Sequence, residues 1–525
     1  MKPGMGITAG GDSILLKKTK SLCPVCKKVL DAEIEEKDGK VYISRTCPDH
    51  GYFSYLYWGD ADAWRRYEAF GVKGSGLENP QVVKEESNCP FDCGICNNHK
   101  STTLLANVDL TNRCNLNCSF CFANAKACGY IYEPTFEQIK EMLMLLRSEK
   151  PTPAPAVQFA GGEPTLRDDL IEIIRLAKSL GFVQVQLATN GIIIARDPDY
   201  ALKLKEAGLS TVYLHFDGVS KETNFKLAHD LKAIENLKKA KQGVVLVPTI
   251  IRGENDHEIG DIIRFAAENI DVIRGVNFQP VSFTGAASPE DIERQRITIP
   301  ELLNGIEEQT QGSVEKEDFY PVPCVVPISD FIEEYTGKPQ LRFTAHQHCG
   351  AATYVFVRDK KIVPINRMID VDAFFDSIEK LTNQIASAGP FSRKMAAISG
   401  IKELYSTVKK SDEGGRELWT SLGKALITHN FDSLREFHWN ALFIGMMHFM
   451  DNYNYDVERV SRCCIHYATP DGRMIPFCTY NSGPVYREKI WKQYAKPLPQ
   501  KSAEILGTDS PARETAVLSD AVPPS

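Results

Sequence analysis

The chain has 525 residues, 43% hydrophobic and 25% charged, which excludes a disordered polypeptide and predicts about two to four domains around at least one large core. A net charge of −7 leaves no basic footprint for nucleic acid, so that class of partner is set aside. No run of about 18 apolar residues is present to span a bilayer. Met1–Lys20 also lacks the apolar core of a secretory signal, so a cytoplasmic location is expected, with peripheral membrane contact left open.

Fifteen cysteines stand mostly in tight groups, a pattern that suits shared metals better than a framework of separate disulfides. The first group lies in residues 1–75. Cys23-Pro24-Val25-Cys26 and Cys47-Pro48-Asp49-His50-Gly51 form two knuckle-like turns, separated by a hairpin that reverses at Asp38-Gly39. This module resembles a rubredoxin or a zinc ribbon in which His50 replaces the last cysteine, and mononuclear iron and zinc stay open as its metal. Residues 76–103 carry Cys89, Cys93 and Cys96 at C-x3-C-x2-C spacing, read as an auxiliary iron–sulfur segment. Cys128 is the nearest candidate for its fourth ligand, and a buried free thiol is the competing reading.

From 104 to 282 the sequence alternates strand-like runs (104–110, 156–160, 183–188, 211–216, 244–251, 275–281) with amphipathic helical ones (136–148, 169–180, 231–240, 257–269). Six β–α units in a row predict an α/β fold, a partial (β/α)6 TIM-type barrel with its chemistry at the C-terminal ends of the strands. The motifs fall at those ends. Cys114-x3-Cys118-x2-Cys121 follows the first strand, Gly161-Gly162-Glu163-Pro164 the second, Thr189-Asn190-Gly191 the third and His215-Phe216-Asp217-Gly218 the fourth. Three thiolates on a four-iron cubane leave one iron without a protein ligand. The amino and carboxylate groups of S-adenosylmethionine (SAM) can chelate that iron, and one electron then breaks the sulfonium to release a 5′-deoxyadenosyl radical. A zinc knuckle, the competing reading, needs a fourth ligand. Glu163 offers a carboxylate to an ammonium group, and Asn190 and Asp217 read either as contacts to a ribose or as loop-capping side chains.

Residues 283–485 form a C-terminal α+β region with further cysteines. Cys324, Cys349, Cys478 and one of Cys463 and Cys464, preferably Cys464, form a candidate set for a second auxiliary cluster. Phe437–Met450 reads as a broad apolar helix whose Met446, Met447 and Met450 suit an adaptable channel. Residues 486–525 read as a disordered tail.

The segment Asn112–Cys121, with aromatic Phe120 before the last cysteine, and the Gly161–Glu163 turn resemble the radical SAM superfamily. The resemblance implies a [4Fe–4S] cluster on Cys114, Cys118 and Cys121. It also implies that Phe120 lies beside the adenine and that Gly161, Gly162 and Glu163 receive the methionine amino group. The order of parts (CPVC, CPDHG, CPFDCGIC, barrel, cysteine-bearing C-terminal region) is similar over about residues 15–485 to the archaeal tetraether lipid synthase family. That family is also described as class D radical SAM methylases acting on a pterin precursor. Three functions follow. The first is coupling of sp3 carbons of a hydrophobic lipid substrate, the second methylation of a small heterocycle, and the third non-catalytic electron transfer. The implied cofactors are SAM, one radical SAM cluster, two auxiliary clusters and the mononuclear iron or zinc, served by a low-potential donor such as ferredoxin or flavodoxin.

Overall fold

The computed structural model describes residues 13–84, 88–118, 121, 129–284, 288–359, 361–387, 400, 403–408 and 441–497. At the N-terminus β1 (Ile14–Leu22), β2 (Val29–Lys37), β3 (Lys40–Cys47) and β4 (Gly51–Trp58) form an antiparallel meander in sequence order. The tight reversal between β2 and β3 puts Asp38 and Gly39 at φ +52° and +72°, the left-handed pair that a two-residue hairpin needs. Asp60 then caps α1 (Ala61–Glu68), its Oδ1 accepting from the N–H groups of Asp62 and Ala63, and Trp64 and Tyr67 turn into the core.

The central sheet begins with β5 (Leu105–Thr111), followed by α2 (Phe136–Arg147), β6 (Ala156–Gly161), α3 (Leu170–Ser179), β7 (Gln184–Thr189) and β8 (Thr211–His215). It continues through α4 (Leu227–Lys239), β9 (Gly243–Val247), α5 (Ile259–Glu268) and β10 (Ile273–Pro280). These six strands are parallel and lie side by side in chain order. Alternate residues such as Val108, Phe159, Leu187, Leu214, Leu246 and Val276 are fully buried, while the helices bury one stripe each, as Leu170, Ile173, Ile174 and Ala177 do in α3.

Strands from the C-terminal region flank this run on both sides. β11 (Gly350–Arg358) pairs antiparallel with β12 (Leu442–Met447), and β12 pairs in parallel with β10. β13 (Ile465–Ala468) pairs in parallel with β5 and antiparallel with β14 (Met474–Pro476). Among the described residues the path of paired strands keeps two ends, and the expected partial barrel is not confirmed by it. The α/β architecture and the N-terminal module stand.

Two expectations are corrected here. The apolar stretch at 441–450 is not a channel helix, because Leu442–Met447 forms a strand between β10 and β11 with Leu442, Ile444 and Met446 buried. A strand buried on both faces shows no period that separates it from a helix. Phe437–Asn440 lie outside the described residues. Nor does a tail begin at 486: α6 (Tyr486–Gln493) buries Tyr486, Arg487, Ile490 and Trp491, and Ala495–Lys496 pair with Ile131–Tyr132. Residues 498–525 lie outside the described set.

A buried ion pair fastens the segment after β12 to the rest. Arg296 Nη2 lies 2.8 Å from Asp451 Oδ2, the two side chains 2% and 0% exposed, and the same carboxylate accepts from the Phe283 N–H at 3.0 Å. Asp451→Ala strands a buried guanidinium and should lower stability by about 3–5 kcal/mol. Glu235→Ala, which breaks only solvent-exposed pairs with Lys232 and Lys239, should leave stability nearly unchanged. Thermal unfolding of the two variants checks the contrast.

Candidate active site

The cysteine loop leaves the end of β5, and the turn after β6 is bonded directly to it. Gly162 N–H donates to Thr111 O and Glu163 N–H to Arg113 O, each at 2.7 Å. A Cβ on Gly161 (φ +126°) would lie 2.2 Å from Thr111 O, and one on Gly162 2.3 Å from Arg113 O. Only glycine permits this approach.

The Glu163 carboxylate is 1% exposed and accepts four hydrogen bonds. Oε1 takes Thr165 N–H (3.1 Å), Thr165 Oγ1 (2.6 Å) and Thr189 Oγ1 (2.7 Å), and Oε2 takes Asn190 N–H (2.7 Å). Burial pushes the carboxyl up, against the pull of these donors. These bonds tie the end of β6 to the end of β7, while Oε2, with one donor, keeps acceptor capacity. Asn190 carries the connection back, its Nδ2 donating to Asn115 Oδ1 in the cysteine loop at 2.7 Å.

Asp217, after β8, is held by Thr249 N–H at 3.0 Å and by His215 Nε2 at 3.0 Å. Burial would raise its carboxyl, but His215, Thr249 and Lys226 together bring it below the usual range. Lys226 forms a buried pair with Asp230 at 2.6 Å and also donates to His215 O. Burial, then Cys121, Cys114 and Asp217, push the Cys118 thiol up to about 11, with Lys226 opposing. Four consecutive strand ends thus meet around three thiols. This donor set fits a cluster with one open iron: three sulfurs on one loop, a cation beside them and a glycine turn pressed against the loop backbone. Phe120 and Cys128 lie outside the described residues. Lys226 was missed in the sequence, where its only signal was a Lys four residues before Asp230, and His215 was noted only as part of the strand-end motif, with no role of its own.

In the N-terminal module Cys23, Cys26, Cys47 and His50 offer ligand atoms all within 4.8 Å of one another. The edges are 3.8 Å for Cys26 Sγ to Cys47 Sγ, 3.4 Å for Cys47 Sγ to His50 Nδ1 and 3.7 Å for Cys23 Sγ to His50 Nδ1. A tetrahedral zinc with Zn–S of about 2.3 Å and Zn–N of about 2.0 Å has edges of about 3.8 and 3.5 Å, so the four groups, His50 included, are spaced as such an ion would need.

Cys89, Cys93 and Cys96 are electrostatic neighbours, and burial first and the other thiols second push Cys93 upward. The C-terminal set is smaller than expected. Cys463 is raised by burial, then by Cys478 and Cys349. Cys464 turns aside, its thiol facing Arg462 O at 3.8 Å with Ser101 and Thr344 beside it. This placement favours Cys463 over the expected Cys464. Cys324 stands apart, with Asp372, Tyr67 and Tyr320 as its charged or phenolic neighbours.

Glu68, His346 and His348 form a further group that the sequence did not suggest, again within 4.8 Å. His348 Nε2 bonds Trp64 O at 3.1 Å, leaving Nδ1 as an acceptor, while His346 Nδ1 accepts from His348 N–H at 3.3 Å, leaving Nε2 as a donor. One donor and two acceptors suit a bound water better than a cation, and Arg459 and Arg462 lie nearby.

Residues 108–266 match the family model described as the radical SAM superfamily, and residues 15–59 match the HMPTM N-terminal zinc ribbon domain. The 7,8-dihydro-6-hydroxymethylpterin dimethyltransferase of Methanocaldococcus jannaschii is 49% identical over 492 residues, 92% of this chain and 96% of that protein. A GTP 3′,8-cyclase of Aquifex aeolicus is 31% identical over 41% of this chain and 66% of its own length. Methylornithine synthase, among solved structures, aligns over 35% of this chain and 54% of its own at 18% identity and a TM-score of 0.27, too low to carry an argument.

Metal analysis of the purified chain should find about one zinc per chain that is unaccompanied by sulfide and is lost in Cys47→Ala. Glu163→Gln keeps the volume but puts an NH2 against N–H and O–H donors. It should weaken SAM binding at least about tenfold while the iron content is unchanged; equilibrium SAM binding beside iron assay decides.

Proposed function

Because the chain belongs to the radical SAM family of 7,8-dihydro-6-hydroxymethylpterin dimethyltransferases, we propose that it methylates a reduced pterin of that kind. The observation that carries the reading is 49% identity sustained over 92% of this chain and 96% of the relative, so the match takes in the flanking regions as well as the radical SAM domain. The same observation overturns the expected coupling of lipid chains, since the relative is named for a small polar heterocycle. The channel that went with that expectation also falls, because Met446 and Met447 belong to a strand of the sheet. No helix among the described residues is long and apolar enough to cross a membrane.

The chain is a radical SAM enzyme, and its cofactors are a [4Fe–4S] cluster and SAM, with auxiliary metal at the zinc ribbon and the flanking cysteines. We assign the cluster to Cys114, Cys118 and Cys121, where it supplies the electron that cleaves SAM reductively. The residues around it bind and orient. Gly161 and Gly162 let the turn close over the loop, while Glu163 fixes Thr189 and Asn190. Asp217 and Lys226 set the charge beside Cys118. Reading Phe120, Asn190 and Asp217 as SAM contacts, and the six-strand run as a partial barrel, rests on their positions at successive strand ends.

Anaerobic incubation with 7,8-dihydro-6-hydroxymethylpterin, dithionite and excess SAM as both radical source and methyl donor should yield pterin heavier by one or two CH2 units, with 5′-deoxyadenosine and methionine from the SAM cleaved reductively and S-adenosylhomocysteine from the SAM that gives each methyl. Cys114→Ala should yield neither methylated pterin nor 5′-deoxyadenosine. Vigorous 5′-deoxyadenosine formation with unmodified pterin would overturn the substrate assignment and leave the radical SAM assignment standing.

A further inference from the structure

The Cys89–Cys96 segment comes to the surface in a cavity of about 570 Å³ whose walls include Cys89, Cys93 and Cys96. The same walls carry three exposed lysines, Lys18 and Lys20 from β1 and Lys100, none of which makes an ion pair among the described residues. The acids in the wall are largely spent. Asp92 pairs with Lys84 at 3.1 Å and Glu458 with Lys17 at 2.9 Å, which leaves Asp31 and Glu33, opposite Lys20 and Lys18 in the β1–β2 register, against the three lysines. His99 is held neutral, its imidazole brought down to about 4 by burial. This rim is therefore cationic on a chain whose net charge is −7.

Behind the cysteines lies an aromatic layer. Cys93 packs against a cluster of Tyr132, Tyr467, Tyr480, Tyr486 and Trp491, and its N–H donates to Tyr486 Oη at 3.2 Å. Within the layer Tyr467 and Tyr480 stack at 4.0 Å, and Arg487 lies over Tyr467, Tyr480 and Trp491 at 5.6, 5.1 and 5.3 Å. Cys121 is an electrostatic neighbour of that guanidinium. The layer thus runs from Cys93 to Arg487, the residue that has Cys121 among its electrostatic neighbours.

We propose that the Lys18–Lys20–Lys100 face docks an acidic one-electron carrier, an iron–sulfur or flavin protein, over Cys89–Cys96. The proposal rests on the radical SAM reading, which requires one electron for each SAM cleaved. The carrier is oxidised by one electron, which the sulfonium C–S bond takes up as it breaks into methionine and a 5′-deoxyadenosyl radical. Charge decides the location. An acidic carrier is repelled by the molecule as a whole, so productive encounter needs a local patch of opposite sign, and this one has metal-binding thiols within its walls.

The test compares the intact holoenzyme with a variant carrying K18E, K20E and K100E, using a purified acidic [4Fe–4S] ferredoxin as probe. Its Kd should weaken at least about tenfold in the variant, and the parent's Kd should weaken as ionic strength rises from about 0.05 to about 0.5 M. Ferredoxin-driven 5′-deoxyadenosine formation should fall in step, while the dithionite-driven rate stays at the parent level. Equal Kd values for parent and variant, or a parent Kd indifferent to salt, would overturn the docking site. If the charge reversal also depresses the dithionite rate, the milder K18Q, K20Q and K100Q set decides by the same binding measurement. Failure of the parent to cleave SAM with dithionite would strike the radical SAM reading, and the binding result would still stand by itself.

Discussion

Backbone carbonyls of the cysteine loop sit where the side chains of residues 161 and 162 would be. That contact, with Cβ positions 2.2 and 2.3 Å from Thr111 O and Arg113 O, allows two N–H groups of the turn to bond the loop from which Cys114 departs. The Glu163 carboxylate then completes the brace, because a buried carboxylate is tolerable only when its lone pairs are taken, and here Thr165, Thr189 and Asn190 take them. Three strand ends are thereby locked together before any cofactor is considered. The loop they hold can present three thiols at a defined place on the sheet.

The C-terminal region does more than add cysteines. By placing β12 beside β10 and β13 beside β5, it covers both edges of the six-strand run that would otherwise expose unpaired N–H and C=O groups. The same segments bring Cys349, Cys463 and Cys478 together beside Arg459. Arg487 and Tyr480 reach back to Asp109 on β5, the tyrosine hydroxyl at 3.0 Å. The core of the sheet and the surroundings of the outlying cysteines are thus one packing arrangement, in which the edges of the domain and its metal sites depend on the same strands.

Substrate identity shows the limit of motif order as evidence. The sequence of cysteine modules pointed to a family described for two chemistries, and the lipid chemistry drew support from a methionine-rich stretch read as a channel helix. Once that stretch is a strand with Met446 in the core, its methionines carry no information about a ligand. The long, high-identity match to a pterin dimethyltransferase then contradicts the lipid reading and supports the methylation one.

From the sequence alone the six β–α units, the cysteine triplet, the GGE turn and the four-ligand N-terminal module could be read, because each depends on neighbours within a few residues. Period-two and period-3.6 burial, a two-residue hairpin and C-x3-C-x2-C spacing are local constraints. The tertiary structure decided the rest. It made Glu163 a brace between strand ends, since its partners Thr189 and Asn190 are 26 and 27 residues away. It made residues 442–447 a strand, since only β10 and β11 supply the pairing. It gave the adjacent Cys463 and Cys464 different surroundings, Cys478 and Cys349 for the first and Ser101, Thr344 and Cys349 for the second, a difference that no spacing rule contains. It also gave α6 a place in the core, because a polar, aromatic segment that looks unpartnered in isolation buries Tyr486, Ile490 and Trp491 against strands formed by distant parts of the chain. Contacts between residues far apart in sequence leave no periodic trace, and that is why these features waited for the fold.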